Sequence, residues 1–323
     1  VGVDIFLQQI INGLVLGSVY ALMALGYTMV YGIINLINFA HGEVLMVGAL
    51  TSWTVVSLPT MQNLPKWLQP LAYWMGILPG WAQLVVGLIC AIIVCTCLNF
   101  SIEKIAYRPL RNAPRLAPLI TAMGVSLLLQ TLAMIIWTPN PKTFPILLPD
   151  EPYEVFGAVI SVSQILILVV TAITLVGLTF LVGRTKLGRA MRATAENPRV
   201  ASLMGVRPDW VISATFVIGA ALAALAGVMV AANYGSVTHT MGFMLGLKAF
   251  TAAVFGGIGN LAGAVVGGLL LGLIESLGAG YIGPITGGVL GSHYQDIFAF
   301  IVLILVLTLR PKGLLGERVA DRA

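Results

Sequence analysis

The chain has 323 residues, of which 59% are hydrophobic types and only 9% are charged, with a formal net charge of +5. Soluble domains carry about 25% charged residues, so too few charges remain here to cover a surface facing water, and a disordered chain is excluded on the same ground. With a mean hydropathy of +0.99, this is a protein whose solvent is the bilayer.

The apolar runs fall, in chain order, at 5–34, 42–57, 82–103, 116–138, 162–183, 209–233, 242–258, 260–276 and 294–309. A membrane-crossing helix needs about 20 mostly apolar residues, so these runs predict about nine crossings, within a range of about eight to ten. The run at 5–34 is long for one helix and short for a hairpin of two. The stretch 242–276 is interrupted by FGGIGNLAG, which reads as a turn between short spans or as a broken helix. The period-two alternation of a membrane β-barrel is absent. No basic residue precedes the run at 5–34, so it reads as a retained span and not as a cleaved secretory signal. The expected fold is an all-α polytopic membrane protein, a helix bundle with broken or short helices, forming a single transmembrane domain over residues 1–323. Cys90, Cys95 and Cys97 share one apolar run and read as core or lipid-facing small residues, not as a disulfide framework or metal site.

Most of the 17 Lys and Arg fall in three clusters. These are Lys104, Arg108, Arg111 and Arg115; Arg184, Lys186, Arg189, Arg192, Arg199 and Arg207; and Arg310, Lys312, Arg318 and Arg322. Short loops rich in Lys and Arg stay in the cytoplasm. Even numbers of spans separate the clusters, so all three share one side and the C-terminus is expected in the cytoplasm. With nine crossings the N-terminus lies outside; a hairpin at 5–34 would move it inside.

Within the apolar runs, the segment GIINLINFAHGEV carries Asn35 and Asn38, with Gly42 four residues beyond Asn38. On a helix these share one face. His41 and Glu43 open the next span, and intramembrane ionisable groups are functional candidates by default. The competing reading is an interfacial turn in which Glu43 is wet. Gly256, Gly257 and Gly259, followed by Asn260, are too glycine-dense for a smooth helix and predict an unwound point. Such breaks are tolerated at membrane depth only where protein or a cavity covers them, and they recur at transporter binding sites. Asn35, Asn38, His41, Glu43, Gly256, Gly257, Gly259 and Asn260 are therefore the candidates for a translocation pathway or gate. Lys248 and Glu275 form a candidate intramembrane charge pair, and Asp296 can serve in it or in gating. Glycines at spacing four, in the columns Gly13/Gly17, Gly259/Gly263/Gly267 and Gly268/Gly272, predict close helix contacts. The His residues lack metal-ligand spacing.

The stretch GRTKLGRAMRATAENPRVASLMGVRPDW, residues 183–210, is the most polar part of the chain. Its composition predicts two short helices around Asn197-Pro198, since a residue before Pro avoids the helical region, with Gly205 as the stop. Its many small residues leave backbone accessible and suit docking against another protein. No phosphate-binding loop occurs and no nucleophile triad, so an ATP-driven transporter built on this chain would borrow its motor from separate subunits.

Five motifs in order carry a resemblance: GYTMVYGIINLINFAHGEVLMVGA at 26–49, SIEKIAYRPLR at 101–111, LGRAMRATAENPRVASLMGV at 187–206, GLKAFTAAVFGGIGNLAGAVVGGLLLG at 246–272 and RPKGLLG at 310–316. Over nearly its whole length the chain resembles the LivH-type permease subunits of the bacterial high-affinity branched-chain amino acid ABC importer family. The resemblance implies a multi-pass protein of the bacterial inner membrane that is not itself an enzyme and that forms half of a pathway for Leu, Ile and Val. It implies that the chain binds no cofactor, that ATP–Mg is used by two cytoplasmic ATPase partners, and that a homologous second permease, a periplasmic amino-acid-binding protein and the lipid bilayer complete the assembly, with no nucleic acid. It also implies that residues 184–208 form the cytoplasmic coupling loop. There Gly188, Arg189, Arg192, Ala193, Glu196, Asn197, Ala201 and Gly205 match the family pattern. Related permeases for urea or short amides look similar, and a stand-alone secondary amino acid transporter is the further alternative. The loop at 276–296 departs from the family pattern in being longer and richer in glycine.

Overall fold

The computed structural model describes residues 2–316, so Arg318 and Arg322 of the third basic cluster lie outside the described residues. The chain runs α1 (Val3–Ile34), α2 (His41–Ser57), α3 (Gln69–Ile77), α4 (Gly80–Ile102), α5 (Leu116–Trp137), β1 (Lys142–Thr143), β2 (Tyr153–Val155), β3 (Ala158–Ile160), α6 (Val162–Arg184), α7 (Lys186–Glu196), α8 (Pro198–Leu203), α9 (Pro208–Tyr234), β4 (Ser236–Val237), α10 (Met241–Gly256), α11 (Leu261–Ile285) and α12 (Gln295–Leu309). The strands are short loop pairings, β1 with β4 and β2 with β3, both antiparallel. The fold is an all-α polytopic bundle.

Among the described residues, 8 helices are long and apolar enough to cross a membrane. Helix α10 has 16 residues, or about 24 Å at about 1.5 Å per residue, short of the roughly 30 Å hydrocarbon layer. The nine expected crossings thus resolve into eight full-length spans and one short helix. The run at 5–34 is one continuous helix of 32 residues, not a hairpin. Its glycines serve helix contact and not chain reversal. Helix α11 continues past 276 to Ile285, so the 276–285 part of the glycine-rich 276–296 segment is helical; Pro284 sits in its last turn. Gly259 lies in the break before α11 and so leaves the expected Gly259/Gly263/Gly267 column.

Two compact units emerge. One gathers the residues up to Ile37, Pro152–Ile212 and those from Leu247 onward; the other gathers Asn38–Glu151 and Ser213–Gly246. In the first, α1 and α11 touch backbone to backbone. A Cβ on Gly272 would lie 2.2 Å from the Gly17 nitrogen, and one on Gly268 would lie 2.7 Å from the Ala21 Cα. Gly263 and Gly267 do the same against the end of α10, where a Cβ on Gly267 would lie 2.1 Å from the Ala252 carbonyl oxygen. In the second unit, a Cβ on Gly227 of α9 would meet the Leu45 carbonyl oxygen at 2.5 Å, and one on Gly48 of α2 would meet the Ala224 Cα at 2.9 Å. Lipid is as apolar as Leu, so such contacts are driven by close packing and not by hydrophobic burial. The helices α5, α6 and α12 leave most of their apolar side chains exposed, as lipid-facing helices do. Trp67, Tyr73, Trp74 and Trp81, around α3, are exposed aromatics of the kind that line membrane–water interfaces.

Candidate functional site

Helix α1 ends at Asn35, which takes a left-handed φ of 51° and donates its N–H to the Tyr31 carbonyl oxygen. Residues 35–40 are not helical. The expectation that Asn35, Asn38 and Gly42 share a helix face is therefore corrected: an Asn whose short side chain tolerates the left-handed region stops the helix first. Asn35 is exposed. Asn38, His41 and Glu43 are 2%, 1% and 0% exposed, which excludes the wet-turn reading of Glu43. The Asn38 Oδ1 accepts from the Ala40 N–H at 3.1 Å and from the Tyr107 hydroxyl at 2.7 Å. The Glu43 Oε1 accepts from Ser126 Oγ at 3.1 Å and from Gln130 Nε2 at 2.7 Å. The other end of each side chain, Asn38 Nδ2 and Glu43 Oε2, has no hydrogen-bond partner among the described residues.

Asn38, His41 and Glu43 belong to one compact unit; Asn35, Gly256, Gly257, Gly259 and Asn260 belong to the other. At the second break, Gly257 and Gly259 have φ of 103° and 98°, open only to glycine without strain. The RPKGLLG segment closes this break. The N–H groups of Leu314 and Leu315 donate to the Phe255 and Gly256 carbonyl oxygens, both at 3.0 Å. Asn260 caps α11 through Oδ1, accepting from the Gly263 N–H, while its Nδ2 donates to the Leu315 carbonyl oxygen at 3.2 Å. A Cβ on Gly257 would lie 2.5 Å from the Gly316 nitrogen, so its lack of a side chain admits the strap. Nothing in the linear spacing of 256–260 and 310–316 announces this contact.

Lys248 stands 3.4 Å from Glu275 Oε2 and 2.6 Å from Asp296 Oδ1, so Asp296 joins the pair. The Tyr20 hydroxyl donates to Glu275 Oε2 at 2.7 Å. One buried network thus ties α1, α10, α11 and α12, with Glu275 only 1% exposed.

Sequence reading missed Glu103. It appeared as part of a basic motif, yet it is 0% exposed. It begins a π-helical turn over Glu103–Tyr107 at the end of α4. Its carboxylate pairs with Arg108 at 3.1 Å and with Arg111, and accepts from Ser213 Oγ at 2.7 Å. Arg108 in turn donates to Ser213 Oγ at 2.8 Å. The available signal was one acid among several nearby bases. Removing a buried acid strands its partners at a cost of about 3–5 kcal/mol, and partly wet Arg side chains reduce that. Glu103→Ala is expected to lower stability by about 3 kcal/mol, read as an earlier thermal transition in detergent, with Ser213→Ala much milder.

The 184–208 segment forms α7 and α8 around Asn197, whose Oδ1 accepts from the Arg199 and Val200 N–H groups and so caps α8. Gly188 is pressed on α6, where a Cβ would lie 2.3 Å from the Val182 carbonyl oxygen, and the Arg192 guanidinium donates to that same oxygen at 2.5 Å. Ala201 is buried, and Gly205 ends the helix at φ 87°. Of the eight family-pattern residues, Arg189, Arg192, Ala193 and Glu196 are the exposed ones on α7. Beyond them stand apolar side chains the sequence did not single out for contact: Val200 is 53%, Leu203 85% and Met204 80% exposed. A cleft of about 130 Å³ joins α7 to the end of α1 and to the glycine break, lined by Thr28, Gly32, Met191, Arg192, Gly259 and Leu261. Among the described residues no three His, Cys, Asp or Glu gather as a metal would require.

The family model described as the branched-chain amino acid transport system permease component matches residues 9–307. The chain is 46% identical to the high-affinity branched-chain amino acid transport system permease protein BraD of Pseudomonas aeruginosa, covering 97% of this chain and 96% of that one. It is 44% identical to the permease protein LivH of Escherichia coli K12, with the same coverage of 97% and 96%. A partial similarity, 34% over 113 residues, 33% of this chain and 32% of the relative, links it to the autoinducer 2 import system permease protein LsrC of Yersinia pestis. No solved structure matches the chain. The chain belongs to the permease component family of branched-chain amino acid transport systems, as a multi-pass inner-membrane subunit that is not itself an enzyme.

Proposed function

We propose that this permease carries Leu, Ile and Val inward as one half of a two-permease pathway, driven by two cytoplasmic ATPases that bind and hydrolyse ATP–Mg and supplied by a periplasmic binding protein. Residues 184–208 seat on one ATPase. The carrying observation is the exposure of Leu203 and Met204, at 85% and 80%, on the most polar segment of the chain. Large apolar side chains standing clear on a basic, water-facing element fit a pocket in another protein. The basic clusters support an orientation with this segment and the C-terminus in the cytoplasm.

Transport then runs as an exchange of accessibility between the two sides. When the ATPases close on ATP they displace α7 and α8. Gly188 and Arg192 hold α7 against the end of α6, and the small cleft passes the displacement to the end of α1 and to the 257–260 break. Amino acid shifts the balance only by binding the two states unequally.

Leu203→Glu with Met204→Glu places charge in the seat and is expected to cut binding-protein-dependent leucine uptake by at least about tenfold. The ATPases should no longer co-purify, while the permease folds normally. Wild-type uptake and wild-type co-purification would refute the seat. Arg192 is the less informative target, because its replacement also releases α7 from the Val182 carbonyl.

A further inference from the structure

The break at 35–43 leaves two buried groups of opposite hydrogen-bonding sense unmatched: a donor, Asn38 Nδ2, and an acceptor, Glu43 Oε2. A buried polar group without a partner is costly and rare, so a pair flanking one helix start asks for an explanation. Neither is an accident of a loose side chain. The Asn38 orientation is fixed because Oδ1 accepts from the Ala40 N–H, and that of Glu43 because Oε1 accepts from Ser126 and Gln130.

The place matters as much as the groups. Ser126 and Gln130 sit near the middle of α5, Leu116–Trp137, so Glu43 lies at mid-membrane depth and not at an interface. Glu43 lies in the first turn of helix α2, His41–Ser57. The first turn of α10 meets it there. A Cβ on Gly42 would lie 2.3 Å from the Gly242 carbonyl oxygen, and one on Gly242 would lie 2.3 Å from the Gly42 carbonyl oxygen. Two helix N-termini are therefore brought together at one buried point, and their dipoles favour negative charge there.

We infer that this point is a subsite for the zwitterionic head of an α-amino acid: the carboxylate takes the Asn38 amide N–H beside the paired starts of α2 and α10, and the ammonium takes Glu43 Oε2. The inference rests on the importer reading and adds where the head is held. It also accounts for tolerance among Leu, Ile and Val, because the polar groups grip the part these molecules share. In this structure both groups are closed off from solvent.

The test is equilibrium binding of radiolabelled leucine to the purified permease–ATPase complex in nanodiscs, with no binding protein present. Saturable binding is expected, displaced by leucine, isoleucine and valine. Leucinamide, which lacks the carboxylate, and 4-methylpentanoate, which lacks the ammonium, should compete at least about tenfold less well. Glu43→Gln keeps the shape and the Oε1 acceptor but turns Oε2 into a donor; it should weaken leucine by a similar factor. Asn38→Leu is the second variant, so that one poorly assembling protein does not decide the matter. Equal competition by 4-methylpentanoate, wild-type affinity in Glu43→Gln, or no saturable binding by the wild-type complex each overturns the subsite. Binding-protein-dependent uptake measured in parallel reports on the importer reading separately, since it can persist when this binding fails.

Discussion

Gly272→Leu is expected to yield no correctly packed protein. The added Cβ alone would lie 2.2 Å from the Gly17 nitrogen and 2.3 Å from the Gly17 Cα. Overpacking a core usually costs about 1–3 kcal/mol because side chains can shift. Here the obstacle is backbone of the neighbouring helix, so α1 and α11 must separate along their length. Each unit of separation also forfeits dispersion contacts that nothing in lipid replaces. The expected result is loss of the monodisperse peak in detergent and of membrane yield. Gly124→Leu on α5 is the control, because a Cβ there meets nothing within 4 Å. A Gly272→Leu protein with wild-type yield and thermal stability would show that α1 and α11 do not pack as described.

Lys248→Met is expected to destabilise the chain by about 3–5 kcal/mol. The substitution leaves Glu275, 1% exposed, without its cation and facing Asp296 across the vacated place. Removing one partner of a buried pair is costly chiefly because of the charge left behind, whereas replacing the whole set with apolar residues is often close to neutral. The triple change Lys248→Met, Glu275→Met and Asp296→Leu should therefore recover most of the lost stability, although the Tyr20 hydroxyl loses its Glu275 acceptor. Thermal melting of the purified variants distinguishes the outcomes. If the triple variant melts no higher than Lys248→Met, the network's effect is not electrostatic. Should it recover stability but not transport, the network has a role in the transport cycle beyond holding four helices together.

The elements that could be read from the chain are those set by local composition. Uncharged runs of about 20 residues must be helices in lipid, since every backbone group has to be satisfied within the segment. The Gly13/Gly17 and Gly268/Gly272 columns pointed to close contacts, and the Asn197-Pro198 and Gly205 signals marked out α7 and α8. Lys248 and Glu275 could be paired because a lone charge in an apolar run needs a partner. The reading failed where the partner was remote or the backbone local. Asn35 ends α1 before the supposed Asn35–Asn38–Gly42 face can form. Glu103 looked like one acid in a basic loop, although Ser213, distant in sequence, helps to bury it.

The sequence by itself determined the solvent, the helical architecture and the family, because apolar run length, glycine spacing and ordered motifs are properties of the chain written in a line. Only the tertiary structure decided which groups in those runs are satisfied. It brought 313–316 onto the 256–260 break, set Asp296 beside Lys248, and left Asn38 Nδ2 and Glu43 Oε2 unmatched beside the Gly42–Gly242 crossing. Hydrogen bonds and ion pairs join atoms separated by a few ångströms whatever their distance along the chain, so their partners appear only once the helices have packed.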